Sequence, residues 1–217
     1  GAGAGGVRAS CAACRRAGRD PGAVRLLPIT KTVPAAILRI AHQAGIDAFG
    51  ENKVQEAVAK HALLADLPVR WSVVGHLQTN KARFLPRFAA EFHALDSLRL
   101  AELLNRLFEE EGRTLDVFVQ VNTSGEASKY GLEPSALPAF LDELTRFPAL
   151  KARGLMTLAV LHPDVARVRP CFERLRLLRD QAQARHPAIA ALSMGMSGDF
   201  EAAIEEGADV VRVGRSL

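Results

Sequence analysis

Paired cysteines, long apolar runs and aromatics spaced among basic residues are all scarce in this chain, and each scarcity removes a class of function. Three cysteines in 217 residues are an odd number and too few for a disulfide framework. Cys11 and Cys14 form a C-x-x-C, but it lies in an Ala/Arg-rich helical stretch with no second pair and no nearby histidine pair to complete a zinc site. No apolar segment is long enough to cross a bilayer, and no basic-then-apolar leader opens the chain. These absences point to a reducing cytoplasm and to no membrane partner. A net charge of +4 raises the question of nucleic acid. The arginines, however, are scattered among acidic residues along helices. The one basic stripe, Arg167 to Asp180, lacks the run of interleaved aromatics on which bases stack.

What is present is an apolar content of 48%, enough for one core at this length. Gly1 to Gly6 reads as a flexible tail, which leaves one domain over 7–217, expected as a monomer. Short apolar runs bounded by Gly, Pro, Asn or Asp alternate with helical patterns. The runs are Val24–Ile29, Ala48–Phe49, Val69–Val74, Phe92–Leu95, Asp116–Val121, Ala152–Met156, Ala191–Met194 and Val210–Val213. Between them, Ala101 to Phe108 and Leu137 to Leu144 carry apolar residues three and four apart, long enough for parallel crossovers. Eight such units predict an α/β fold, a closed (β/α)8 barrel of the TIM type with an extra N-terminal helix. A doubly wound open sheet is the alternative, although no G-x-G-x-x-G follows the first strand.

Barrel chemistry gathers at the carboxyl ends of the strands, so the polar residues after each run form the candidate site. Lys31 follows the first run. A lysine where a buried strand meets a loop is expected among apolar neighbours that disfavour its charge and leave the amine nucleophilic, able to hold an aldehyde as a Schiff base. Glu51 and Asn52 follow the second run; Glu51 suits a helix start, and the Asn52 amide can bond a ligand. His76 follows the third and is placed either as a structural hydrogen-bonder or against a cofactor ring. Ser124 to Gly131 is a polar connection, either an ordinary loop or a lid. Its Lys129 competes for the aldehyde but is expected to stay hydrated. In Met194-Gly-Met-Ser-Gly-Asp-Phe-Glu201, small residues precede a short helix, so backbone N–H groups and the Ser197 hydroxyl can converge on a phosphate. That reading requires Asp199 and Glu201 to face solvent. Arg212-Val-Gly-Arg-Ser216 supplies a second arm one strand later. An aldehyde trap beside a phosphate cradle suggests pyridoxal 5′-phosphate.

The set Pro28-Ile-Thr-Lys-Thr32, Phe49-Gly-Glu-Asn52, Val74-Gly-His-Leu-Gln78, Asn122-Thr123, Gly154-Leu-Met-Thr157, Ser193-Met-Gly-Met-Ser197 and Val211-Arg-Val-Gly214 closely resembles the YggS/PROSC family, the pyridoxal phosphate homeostasis proteins. The resemblance implies a single barrel like the N-terminal domain of alanine racemase, a fold type III pyridoxal phosphate protein with no established catalytic residue. It implies that Lys31 forms the internal aldimine, that Ser197, Gly198, Gly214 and Arg215 hold the phosphate, and that Arg212 faces the pyridine nitrogen. Asn52 and His76 would line the ring. The implied role is storage, buffering or delivery of the cofactor, with apo forms of pyridoxal phosphate enzymes as partners. An amino-acid racemase or decarboxylase is the enzymatic alternative, and an aldolase-type barrel using Lys31 on a sugar phosphate is a third. The connection from Leu161 to Arg169 is not diagnostic of the family, and family members continue a few residues past the position of Leu217.

Overall fold

In the computed structural model, which describes residues 2–127 and 130–214, eight parallel strands close into a barrel in sequence order. They are β1 (Arg25–Ile29), β2 (Ala48–Glu51), β3 (Arg70–Val73), β4 (Ala89–Leu95), β5 (Leu115–Gln120), β6 (Leu150–Met156), β7 (Ala191–Ser193) and β8 (Val210–Gly214). The helices are α1 (Ala2–Arg16), α2 (Ala35–Gln43), α3 (Val54–Leu63), α4 (Leu98–Glu110), α5 (Leu137–Leu144), α6 (Val165–Ala182) and α7 (Phe200–Glu205). Each strand overlaps a run expected from the sequence, because a strand buried on both faces must be almost continuously apolar. Two expectations change. The crossover from β3 to β4 is a 3-10 segment, Thr79–Arg87, holding Pro86, since proline removes a helical donor and clashes with the preceding turn. The helix before the first strand also begins earlier than the domain bound read from the sequence, at Ala2. Adding a residue to a helix that is already packed fixes one residue per hydrogen bond, so alanine and glycine ahead of it stay helical.

The barrel closes through five consecutive pairs between β1 and β8, Arg25↔Val210 to Ile29↔Gly214. One apolar cluster fills the space between sheet and helices, with Trp71, Phe49, Phe92, Phe108 and Phe172 among its largest fully buried side chains. The lumen itself is partly polar. Arg25 on β1 bonds Glu91 on β4, and His93 on β4 bonds Ser193 on β7. These strands are not neighbours, so both contacts cross the interior. Among the described residues, no helix is long and apolar enough to cross a membrane.

Candidate functional site

Lys31 lies two residues past the last pair of β1. Side chains alternate along a strand, and Arg25 points into the lumen, so Lys31 inherits the inward parity of Leu27 and Ile29. The chain leaves the barrel first. Thr30 still bonds Gly50, its N–H donating to the Gly50 carbonyl at 2.9 Å, whereas Lys31 and Thr32 form a turn with Thr32 at φ 63°. Lys31 is therefore exposed, which corrects the expectation of apolar burial. Its accessibility comes from standing at the rim.

The opposite arm is built by β7, β8 and the loop between them. Gly195 takes φ +104°, and a Cβ there would lie 2.6 Å from the Cβ of Ala203, so only glycine lets the loop fold back onto α7. That fold brings Ser197 to Gly214, whose N–H donates to the Ser197 hydroxyl at 3.2 Å while the hydroxyl donates to the Gly214 carbonyl at 3.3 Å. Because Gly214 pairs with Ile29, this contact stands beside the base of the Lys31 turn. Glu201 points away, to Arg16. Asp199 does not simply face solvent as expected. It is half-buried and accepts the Met196 N–H at 2.6 Å; burial raises its carboxyl above the ordinary value, against that bond and the pull of Arg212. Arg215, Ser128 and Lys129 lie outside the described residues.

Arg212 is inside the barrel, 3% exposed, and not in the loop beyond it. It donates from Nη1 to the Ser193 hydroxyl at 2.7 Å and from Nη2 to the Thr157 carbonyl at 3.1 Å. Burial lowers its pKa to about 10, opposed by Asp199, which leaves it a cation near neutral pH. A guanidinium only donates, so the Ser193 oxygen accepts from Arg212, and the same hydroxyl is hydrogen-bonded to His93 Nδ1 at 2.9 Å. His93 Nε2 faces Glu91 Oε1 at 3.6 Å. Burial pushes the His93 pKa down, outweighing Glu91. Glu91 takes both carboxylate oxygens to Arg25 at 2.9 and 3.0 Å and accepts Ser72 at 2.6 Å. Burial opposes its charge, but His93, Arg25 and Ser72 hold the carboxyl well below the usual range. Reading outward from strand ends missed Glu91 and His93 and took Ser193 only as the opening residue of a motif. Their signal was polar residues at alternate positions inside apolar strands.

The rim residues divide. Asn52 is half-buried, and its backbone carbonyl would be 2.9 Å from a Cβ on Gly75, which packs the loops after β2 and β3 tightly together. His76 lies flat on Tyr130, with centroids 3.8 Å apart and planes 4° from parallel. Its ring face is thus occupied by the loop expected as either connector or lid. That loop is tied down by the Asn122 amide donating to the Glu126 carbonyl at 2.8 Å and by the Gly131 N–H donating to Asp96 at 3.0 Å. Glu51 is not at a helix start. It ends β2 fully buried, bonded by Lys60 and Thr30, and burial raises its carboxyl against those bonds. Cys11, Cys14 and Cys171 are free, and no cluster suited to a metal ion occurs among the described residues.

Comparison with known proteins gives a consistent set. The family described as alanine racemase, N-terminal domain, matches residues 9–217. The pyridoxal phosphate homeostasis protein of Pseudomonas aeruginosa is 45% identical over 206 residues, covering 94% of this chain and 88% of that protein. The solved structure of PipY from Synechococcus elongatus with PLP bound is 38% identical, with a TM-score of 0.85 over 97% of this chain and 99% of that one. An alanine racemase of Clostridium difficile shares 13% identity and a TM-score of 0.73 over 97% of this chain but 54% of the racemase, a likeness of fold alone.

Proposed function

Since the chain belongs to the family of the pyridoxal phosphate homeostasis proteins, we propose that its barrel mouth binds pyridoxal 5′-phosphate through Lys31 and keeps the cofactor available to the cell by storage, buffering or hand-over. The observation that carries this reading is the pairing of Ile29 with Gly214, which sets the Lys31 turn beside the Ser197–Gly214 contact. The donor set fits the group. Among the described residues, a Cβ built on Gly198 or Gly214 meets nothing within 4 Å, which leaves room beside both backbones for an anion, next to a serine hydroxyl. Pyridoxal phosphate supplies an aldehyde, a phosphate and a ring nitrogen on one small molecule.

In this reading Lys31 engages the aldehyde, while Ser197 and the backbone of Gly198, Gly214 and Arg215 hold the phosphate. Arg212 faces the ring nitrogen as an obligate donor and cation, which keeps that nitrogen unprotonated and the ring a weak electron sink. Asn52 and His76 flank the ring, His76 by way of its stack on Tyr130. A weak electron sink suits a carrier better than a racemase, which also needs an acid/base opposite the lysine. The sole tyrosine, Tyr130, is committed to His76. All these groups come from one chain, so the functional unit is a monomer, and its three free thiols suit a reducing cytoplasm.

The protein should turn yellow on addition of pyridoxal phosphate, and borohydride followed by peptide mass mapping should place the pyridoxyl group on Lys31. Lys31→Ala should abolish the visible band, and Arg212→Ala should weaken retention. A Lys31→Ala protein that keeps the band overturns the assignment of that lysine. Hand-over is read by mixing loaded protein with an apo-enzyme; reactivation no faster than spontaneous release leaves storage without delivery.

A further inference from the structure

Behind the Lys31 turn, on the side away from the lumen, a second lysine is buried. Lys60 on α3 is 7% exposed, and its ammonium donates to the Thr30 carbonyl at 2.6 Å, to Glu51 Oε1 at 2.6 Å and to Glu56 Oε2 at 2.5 Å. An ammonium has three donors, and all three are used. Glu56 Oε2 also accepts the Thr32 N–H at 2.6 Å, and Glu51 Oε1 also accepts the Thr30 hydroxyl at 2.6 Å. The bonds that reach the turn fall on particular atoms. The Thr30 carbonyl belongs to the peptide group before Lys31, and the Thr32 N–H belongs to the one after it. With both neighbouring peptide planes fixed, the direction of the Lys31 Cα–Cβ bond is fixed too. Thr32 sits at φ 63°, a region costly for a β-branched residue, in a turn that the Val33 N–H also closes by donating to the Thr30 carbonyl at 3.0 Å.

A structural ion pair joining α3 to the sheet would place its contacts anywhere along the helix. Buried pairs of this kind add little net stability, because desolvation offsets the attraction. Their presence at the two peptide groups flanking a reactive amine points to orientation. We propose that Lys60, acting with Glu51 and Glu56, is the positioning residue for Lys31, aiming its amine into the barrel mouth through the backbone. The proposal rests on Lys31 being the group that captures the aldehyde. In that capture the Lys31 nitrogen forms the new bond to the aldehyde carbon, and the aldehyde oxygen leaves as water with the two protons of the neutral amine.

The test separates capture from anion binding. Pyridoxine 5′-phosphate carries the ring and phosphate without the aldehyde, so it reports the cradle alone. In Glu56→Ala, altered at a half-buried rim position, and in Lys60→Met, the rate of borohydride-trappable adduct on Lys31 should fall by about tenfold to a hundredfold, because misaimed groups lose that much. Binding of pyridoxine 5′-phosphate should stay within about twofold, since neither residue belongs to the cradle. Glu56→Gln, whose amide oxygen still accepts from Thr32, should recover most of the rate. Capture at the wild-type rate in Glu56→Ala overturns the proposal, and so does a parallel loss of capture and of pyridoxine 5′-phosphate binding, which marks a merely structural role. A wild-type protein that forms no Lys31 adduct defeats instead the function proposed above.

Discussion

Arg212 enters the lumen as a cation that can only donate; it bonds the Ser193 hydroxyl, which also bonds His93, and His93 faces Glu91 at 3.6 Å. The groups around His93 are Glu91 on its own strand, Arg25 on β1, Arg212 on β8 and the stacked ring of Phe118 on β5. Burial dominates them and lowers the folded pKa below that of the unfolded chain. The folded protein therefore binds fewer protons, and stability present above pH ~6.5 is lost as pH falls, by about 1.4 kcal/mol for each unit until the folded pKa is reached. His93→Gln should remove this slope. Urea midpoints of the two proteins between pH ~7 and ~5 should converge as the wild type weakens. The difference isolates His93, because Glu51 and Asp199, whose raised carboxyls work in the opposite sense, are common to both. Parallel midpoint curves would mean that His93 titrates in the fold as it does in the unfolded chain. None of this was read from the sequence, where the fourth run was taken from Phe92 and neither Glu91 nor His93 entered the candidate site.

Strands and loops show why the fold was legible and the site only in part. A parallel strand is buried on both faces, so its run of apolar residues is a local signal, and all eight runs became strands. The rim was legible by position, since polar residues after strands belong to the mouth. Orientation was not, because it depends on partners far apart in sequence: Lys31 is aimed by Glu56 and Lys60, and the ring of His76 is covered by Tyr130. The β7–α7 loop makes the same point through two glycines that look alike in sequence. Gly195 takes φ +104° against Ala203, whereas Gly198 has open space and no such backbone demand. Gly195→Ala should cost about 1–3 kcal/mol and shift the Ser197 hydroxyl off Gly214, seen as a lower denaturant midpoint together with weaker pyridoxine 5′-phosphate binding. Gly198→Ala should change stability by less than about 0.5 kcal/mol. Equal costs at the two positions would refute this account of the loop.

At the scale of the molecule, the two anchors of the proposed ligand come from opposite ends of the chain and meet only because the barrel closes. Five pairs join β1 to β8, and the N-terminal segment reinforces them. Arg16 pairs with Glu201 and Glu205 on α7, while Arg19 donates to the carbonyls of Ile204 at 3.0 Å and Ala208 at 2.6 Å and pairs with Asp209. A ligand bridging Lys31 and the Ser197–Gly214 cradle therefore adds a further tie across the seam. It should stabilise every strand and not only the rim, by about 2.7 kcal/mol at a free concentration one hundred times its Kd. The single tryptophan makes this measurable. Trp71 is 2% exposed on β3, away from the seam, and packs 5.7 Å from the ring of Phe49. Its fluorescence and far-ultraviolet circular dichroism should unfold with one midpoint, and pyridoxal phosphate should raise both together in the wild type and much less in Lys31→Ala. A ligand that shifts the dichroism midpoint but leaves Trp71 unmoved would divide the barrel into independently folding parts and break the link drawn between closure and binding.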